Sequence, residues 1–174
     1  MTKRISPVIS ALRTAHDEVQ LGRVLSAVVG SNTSAPAAFL DLLLGEAAKD
    51  PEIGTRARNL KPPPRVACST ERGLLRHGRG RVRKQAQSLG RVDLLFSADG
   101  FRLICELKLD SPYQPDQIIR YLEAEDTWVM SIVRQTGRLQ GKAGQIAQAN
   151  SRWLGEICWT SIQEGLRQIP LTGT

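Results

Sequence analysis

Two apolar runs joined at Asp99-Gly100 constrain the fold of this chain more than any other feature. Residues 92–97 and 101–109 are rich in aliphatic and β-branched side chains, which is typical of β-strands. The Asp-Gly dipeptide between them tolerates the positive φ angles of a two-residue type I′ turn. The pattern therefore predicts a β-hairpin in which the numbers of facing residues sum to 199.

Three charged residues, Asp93, Glu106 and Lys108, interrupt this apolar hairpin. The register places Asp93 opposite Glu106, with Cβ atoms about 4.5–5.5 Å apart, and the period of two places Lys108 on the face of Glu106. Facing carboxylates destabilise a sheet unless a positive group lies between them, and oxygen ligands with room for water suit Mg²⁺ or Mn²⁺. We therefore expect a metal site at Asp93 and Glu106, with Lys108 as a compact positive charge beside it.

The order Asp93, then Glu106-Leu107-Lys108, resembles the pattern of the PD-(D/E)XK nuclease superfamily, in which an Asp and a variable hairpin precede Glu-x-Lys. Val92 stands where many members have proline. The resemblance implies a mixed central β-sheet flanked by helices. It also implies a restriction-endonuclease-like core that hydrolyses phosphodiester bonds with Mg²⁺ or Mn²⁺.

A second element follows on a helix that Pro115 is suited to begin. Gln117 and Tyr121 are four residues apart and share a helix face, which is similar to the Gln-x-x-x-Tyr element of nuclease domains of the recombination-helicase type. Together the two motifs cover residues 91–122. The resemblance implies that the metal is held by Asp93, Glu106 and the Leu107 carbonyl, and that the catalytic residues are Asp93, Glu106, Lys108, Gln117 and Tyr121.

Ordinary interpretations of these residues remain open. Alternating Glu and Lys on a strand often serve only solubility, although the apolar surroundings make charges without partners costly here. Gln117 and Tyr121 also fit a simple amphipathic helix. Many superfamily members add a carboxylate from an N-terminal helix, for which Glu46 is the first candidate and Glu71 the second.

The positive charge of the chain is concentrated before the hairpin. Residues 70–91 carry +6 of the net charge of +7, and several glycines predict a loop or ribbon. Such a basic element beside a phosphodiesterase site indicates DNA, or RNA, as partner, while a solvated loop or an acidic protein partner is the alternative. The candidate nucleic-acid-binding residues are Arg72, Arg76, Arg79, Arg81, Arg83, Lys84 and Arg91.

The remaining sequence predicts an α/β fold with a helical N-terminal segment. The order α-α-β-β-β-α-β-α-β-α comprises helices at 6–30 and 34–48, strand 66–70, the hairpin, the Pro115 helix, strand 128–133, helix 137–150, strand 157–159 and a last helix opened by a Ser161-x-x-Glu164 capping box. Lys61 and the three prolines after it form a stiff connector. We expect a single domain over 1–174, with a helical part at 1–60 and an α/β core at 61–174.

The sequence thus predicts a Mg²⁺-dependent nuclease acting on DNA, in a setting such as restriction, antiviral defence or repair. The alternatives are a non-catalytic nucleic-acid-binding module with the same fold, or a basic protein-interaction domain. No signal peptide or membrane span is evident, so we expect a cytoplasmic protein. A homodimer and a place in a larger nuclease assembly are both compatible with this prediction.

Overall fold

A computed structural model of the protein describes residues 35–75 and 88–166, together with Gly22 and Leu25. Its helices are α1 Ala35–Ala47, α2 Gly54–Asn59, α3 Pro115–Leu122, α4 Gly141–Ala149 and α5 Trp159–Leu166. Its strands are β1 Ala67–Leu75, β2 Ser88–Ala98, β3 Phe101–Lys108, β4 Thr127–Val133 and β5 Trp153–Cys158. The first helix expected from the sequence lies mostly outside the described residues, although Gly22 and Leu25 are helical.

The five strands form one mixed sheet in the order β1-β2-β3-β4-β5. Strands β1, β2 and β3 are antiparallel neighbours, whereas β3, β4 and β5 run parallel. A parallel pair needs a crossover, and α3 and α4 supply the two that this topology requires. The α/β prediction, with a mixed central sheet flanked by helices, is therefore confirmed.

Each face of the sheet has its own apolar cluster. On one face, Phe39 and Leu43 of α1 pack with strand residues such as Leu94. On the other face, Ile118 of α3 packs with strand residues such as Ile104. Alternate residues of the central strands are thus buried on both sides, which is why the hairpin sequence is almost continuously apolar.

The hairpin of β2 and β3 has the expected register, with pairs from Ala98 and Phe101 to Leu94 and Cys105. Its turn differs from the expected type I′. Gly100 has φ +67°, but Asp126 is the only non-glycine residue with a positive φ in the described part of the chain. Asp99 therefore keeps a negative φ, and a negative angle followed by a positive one fits a type II turn.

Several element boundaries differ from the sequence prediction. Helix α2 was missed. The basic segment, expected to be a loop or ribbon, has its two ends in β1 and β2, which pair with each other as far as Leu75 and Ser88. Strand β5 begins at Trp153, where it pairs with Val129, rather than at residue 157. Ser161 is the third residue of α5, so the capping-box prediction was wrong.

Arginine side chains donate hydrogen bonds to backbone carbonyls at the carboxyl ends of several helices. The Arg56 guanidinium donates to the carbonyls of Gln148 (2.8 Å) and Asn150 (2.7 Å) at the end of α4. Arg152 donates to carbonyls at the end of α3, and Arg58 donates to one just after α1. Part of the positive charge of the chain is therefore used to satisfy helix carbonyls.

Among the helices of the described residues, none combines the length and apolar character needed to cross a membrane.

Candidate active site

Asp93 lies where the antiparallel pairing of β2 and β3 ends. The ladder stops at Leu94 and Cys105, one pair before Asp93 and Glu106 would face each other. A carboxylate oxygen of Asp93 instead accepts the backbone N–H of Leu107 at 2.8 Å. The expected backbone pair of Asp93 and Glu106 is thus replaced by a side-chain bond, which fixes the Asp93 carboxylate against β3.

This bond predicts different results for two substitutions of Asp93. Asp93→Ala should lower the free energy of unfolding by about 1–3 kcal/mol, because it leaves the buried Leu107 N–H without an acceptor. Asp93→Asn keeps an acceptor oxygen and removes the charge facing Glu106, so without metal it should stabilise by roughly 0.5–2 kcal/mol. Urea unfolding in EDTA measures both. Equal losses in the two variants would mean that the charge, not the acceptor, stabilises this strand end.

Glu106 and Lys108 form a buried ion pair on the same face of β3. Their side chains are 1% and 9% exposed, and Lys108 Nζ lies 2.8 Å from Glu106 Oε1. Burial, and after it the nearby Asp93 carboxylate, raise the pKa of Glu106 to about 7, although Lys108 and Tyr121 act in the opposite direction. Glu106 is therefore an acid that changes its charge near neutral pH.

Helix α3 supports the other oxygen of Glu106. The Tyr121 hydroxyl donates to Glu106 Oε2 at 3.3 Å, and Gln117 Nε2 donates to the Tyr121 hydroxyl at 2.9 Å. Burial raises the pKa of Tyr121, so its hydroxyl keeps its proton as a donor. The structure thus brings together all five residues expected to be catalytic. It connects the Gln-x-x-x-Tyr element to Glu106 through hydrogen bonds.

Polar residues form a row across the sheet at the level of Glu106. Glu106 pairs with Ser131 of β4, which pairs with Glu156 of β5. In the other direction, Asp93 lies on β2 between Leu94, which pairs with Thr70 of β1, and Val92, which pairs with Arg72. The register position across from Asp93 is therefore that of Glu71. Because paired residues share a face, the row gathers acidic positions on the α3 side of the sheet.

The register distinguishes the two candidates for an additional acid. Glu46 lies on α1, which packs on the other face of the sheet, and it pairs with Lys49 at 2.6 Å. The structure does not bring Glu46 to Asp93 and Glu106. Glu71 has the better-placed backbone of the two, since it lies beside Asp93 in the sheet.

The residues present suit a hard divalent cation with few protein ligands. No group of three or more His, Cys, Asp or Glu side chains placed to hold a metal ion occurs within the described residues. Mg²⁺, however, commonly binds through one or two carboxylates and keeps several waters. Asp93 and Glu106 supply two carboxylates on neighbouring strands. After burial, the Asp93 carboxylate is the next cause that raises the pKa of Glu106, and a cation between the two would offset that repulsion.

Most of the expected basic surface falls in the gap between residues 75 and 88. Arg76, Arg79, Arg81, Arg83 and Lys84 thus lie outside the described residues. The backbones of Arg72 and Arg91 lie on β1 and β2, paired with Val92 and Gly73. The structure therefore places one end of this segment on β2, the strand that carries Asp93, and the other end on the neighbouring β1.

Sequence reasoning missed three polar residues next to this site: Tyr113, Arg138 and Glu156. A β-bulge in β5 turns Glu156 toward the site. Val129 pairs with Trp153 and Ser131 pairs with Glu156, so β5 has one residue more than β4 between these two pairs. Gly155 within that step has φ +88°, a conformation that favours glycine. A glycine inside a strand pattern is the signal that could have indicated this bulge.

No protein-family model matches the sequence, and neither a curated protein nor a solved structure matches it. What the site can do is therefore inferred from its own residues.

Proposed function

We propose that this protein is a Mg²⁺- or Mn²⁺-dependent nuclease that hydrolyses DNA phosphodiester bonds through a PD-(D/E)XK-like site. The observation that carries the proposal is the convergence of Asp93, Glu106 and Lys108 in a mostly apolar sheet. Buried charges are costly, and the buried Glu106 and Lys108 beside a half-buried Asp93 favour a functional role. The sequence pattern and these contacts both support the proposal.

Asp93 and Glu106 would hold the metal ion, with the Leu107 carbonyl as a further candidate ligand. When bound, such an ion polarises a phosphoryl group and lowers the pKa of an attacking water. The Leu107 N–H fixes Asp93, while Tyr121 and Lys108 fix the two oxygens of Glu106. Both carboxylates are thus oriented before any ligand arrives, which reduces the reorganisation needed in the reaction.

Lys108 would stabilise the negative charge that develops on the phosphate. Its ammonium group is compact, lies at the end of β3 and is largely withdrawn from solvent. An electrostatic interaction in such surroundings is stronger than one in water. Gln117 acts one step further away by orienting the Tyr121 hydroxyl.

Nucleic acid is the substrate that the charge distribution favours. The segment at 70–91 carries +6 and continues directly into the strand of Asp93. Arginine predominates in it, and the guanidinium group suits bidentate contacts with phosphate. The described arginines, by contrast, include Arg56, Arg58 and Arg152, which bind backbone carbonyls.

Neutralising Arg79, Arg81, Arg83 and Lys84 together should weaken DNA binding without unfolding the protein. Each lost phosphate contact should make the slope of log K against log salt shallower by about 0.9 on duplex DNA. Fluorescence anisotropy at several salt concentrations measures the slope. Glutamine in place of the exposed Lys61 and Lys142 provides the control for charge removed elsewhere. An unchanged slope in the fourfold variant would mean that the segment faces away from the nucleic acid.

A non-catalytic nucleic-acid-binding module is the second candidate, and the Glu106–Lys108 ion pair is the observation that favours it. A buried Glu that already has a cation partner can be an ordinary structural pair. Incubation of plasmid and single-stranded DNA with Mg²⁺, Mn²⁺ or EDTA separates the two. Metal-dependent cleavage supports the nuclease. Salt-dependent binding without cleavage supports the module, and neither result would indicate a basic protein-interaction domain.

A further inference from the structure

The segment that follows Lys108 is held by one arginine. The Arg138 guanidinium donates to the carbonyls of Lys108 (2.8 Å), Leu109 (2.9 Å) and Ser111 (3.3 Å). A planar guanidinium spreads five donors over a fixed fork, so its two terminal nitrogens can reach acceptors that lie apart, whereas the three donors of a lysine ammonium radiate from one nitrogen. The backbone of Lys108 is therefore anchored just beyond the ion pair of its side chain with Glu106.

Arg138 is in turn held by Glu156 through the backbone. The Glu156 carboxylate accepts the N–H groups of three consecutive residues, those of Gly137, Arg138 (3.0 Å) and Leu139 (2.9 Å). Gly137 has φ +81°, which helps successive N–H groups to converge on one anion. Glu156 thus fixes the loop between β4 and α4 from which the Arg138 side chain extends.

Tyr113 also contacts Glu156. Its hydroxyl donates to Glu156 Oε1 at 2.8 Å, and Tyr113 follows shortly after the carbonyls that Arg138 binds. Burial and the nearby carboxylates raise the pKa of Tyr113, so the hydroxyl stays protonated and remains a donor. The segment after β3 is thus bound at both ends, by Arg138 near Lys108 and by Glu156 at Tyr113.

We infer that Arg138, Glu156 and Tyr113 form a clamp that positions Lys108 for the reaction of the site. The effect of this clamp on the rate rests on the proposed nuclease function, whereas its effect on the placement of Lys108 does not. The three are positioning residues, because their polar groups bind the protein itself and not the reacting atoms. Loss of the clamp should slow the chemical step and leave substrate binding largely intact.

The test combines steady-state kinetics with NMR of the lysine ammonium groups in Arg138→Lys, which keeps the charge but lacks the two-nitrogen fork that spans the three carbonyls. The chain has six lysines, so the Lys108 signal can be assigned by its loss in Lys108→Ala. We expect kcat to fall about tenfold or more with KM nearly unchanged. The Lys108 signal should move toward those of exposed lysines. Arg134→Lys is the matched control, because the Arg134 side chain is exposed and forms its ion pair with the equally exposed Asp110.

Each outcome decides the inference. A folded Arg138→Lys protein with an unchanged Lys108 signal overturns it, whatever the activity. A shifted Lys108 signal in a protein whose wild type does not cleave DNA supports the clamp and refutes the proposed nuclease. If Arg138→Lys does not fold, Glu156→Gln replaces it, because glutamine has a similar size but only one acceptor oxygen for the three N–H groups and the Tyr113 hydroxyl, which loosens the loop that carries Arg138. An unchanged Lys108 signal in that variant likewise overturns the inference.

Discussion

Alanine in place of Lys108 or Glu106 should lower the rate of DNA cleavage by at least about two orders of magnitude, which corresponds to roughly 2.7 kcal/mol of lost transition-state stabilisation. The reason differs between the two. Glu106→Ala removes a candidate metal ligand, whereas Lys108→Ala removes a positive charge that lies 2.8 Å from that ligand. Cleavage by the wild type should also stop in EDTA. Single-turnover measurements with plasmid DNA and Mn²⁺ follow the chemical step itself.

Lys142→Ala is the matched control for Lys108, because it removes the same group from an exposed position on α4. It should cut as fast as the wild type. If Lys108→Ala and Glu106→Ala also cut at the wild-type rate, while EDTA still stops cleavage, the metal site lies elsewhere in the chain. If no protein in the series cuts DNA, the protein is the non-catalytic nucleic-acid-binding module instead.

The largest effect on stability should come from the ionisation of Glu106. Its pKa in the folded protein is about 7, compared with an ordinary value of 4.5. The folded state therefore binds more protons than the unfolded state between these two values, and stability must fall as the pH rises through this range. Below pH 4.5 both states are protonated, and above pH 7 both are ionised. The contribution of Glu106 should thus decrease by about 3 kcal/mol across the range and stay constant outside it.

Glu106→Gln isolates this contribution, because glutamine has a similar shape and no charge to lose. The free energy of unfolding of the wild type minus that of the variant should fall by about 3 kcal/mol between pH 4.5 and pH 7 in EDTA. Chemical denaturation at several pH values measures the difference. Parallel curves for the two proteins would show that Glu106 keeps an ordinary pKa and that Lys108 neutralises it fully.

Divalent metal should restore part of the stability that is lost when Glu106 ionises. A cation that binds only the folded protein stabilises it by mass action, and it prefers ionised carboxylates. Mn²⁺ should therefore raise the melting temperature of the wild type more at pH 8 than at pH 5, and more than it does in Glu106→Gln or Asp93→Asn. Equal shifts in all three proteins would indicate that the ion binds outside this site.

The hairpin and its charged residues could be predicted from the sequence because strand period and turn length determine register. That reasoning could not show that the ladder ends at Leu94, since only the folded backbone reveals that Asp93 binds the Leu107 N–H. The predicted turn type was wrong for a related reason, because Asp-Gly is compatible with both type I′ and type II turns. Local sequence restricts such angles without choosing between them.

Polar residues outside the motif were harder to recognise. Glu156 and Arg138 are separated from Lys108 by many residues, and their roles depend on backbone groups that no side-chain pattern records. The start of β5 was missed because Gly155 disrupts the alternation on which the strand prediction relied. The prediction of a capping box at Ser161 was wrong because α5 begins directly at the end of β5, before Ser161.

The bulge at Gly155 also bears on how the sheet meets other molecules. Strand β5 is the last in the order of the described strands, and the outermost strand of a sheet is where a neighbouring chain can add its own strand. The left-handed backbone of Gly155 interrupts the even spacing that such pairing needs, and the Arg56 guanidinium already donates to the Trp153 carbonyl at 3.2 Å. The residue that turns Glu156 inward therefore also makes this edge a poor template for aggregation.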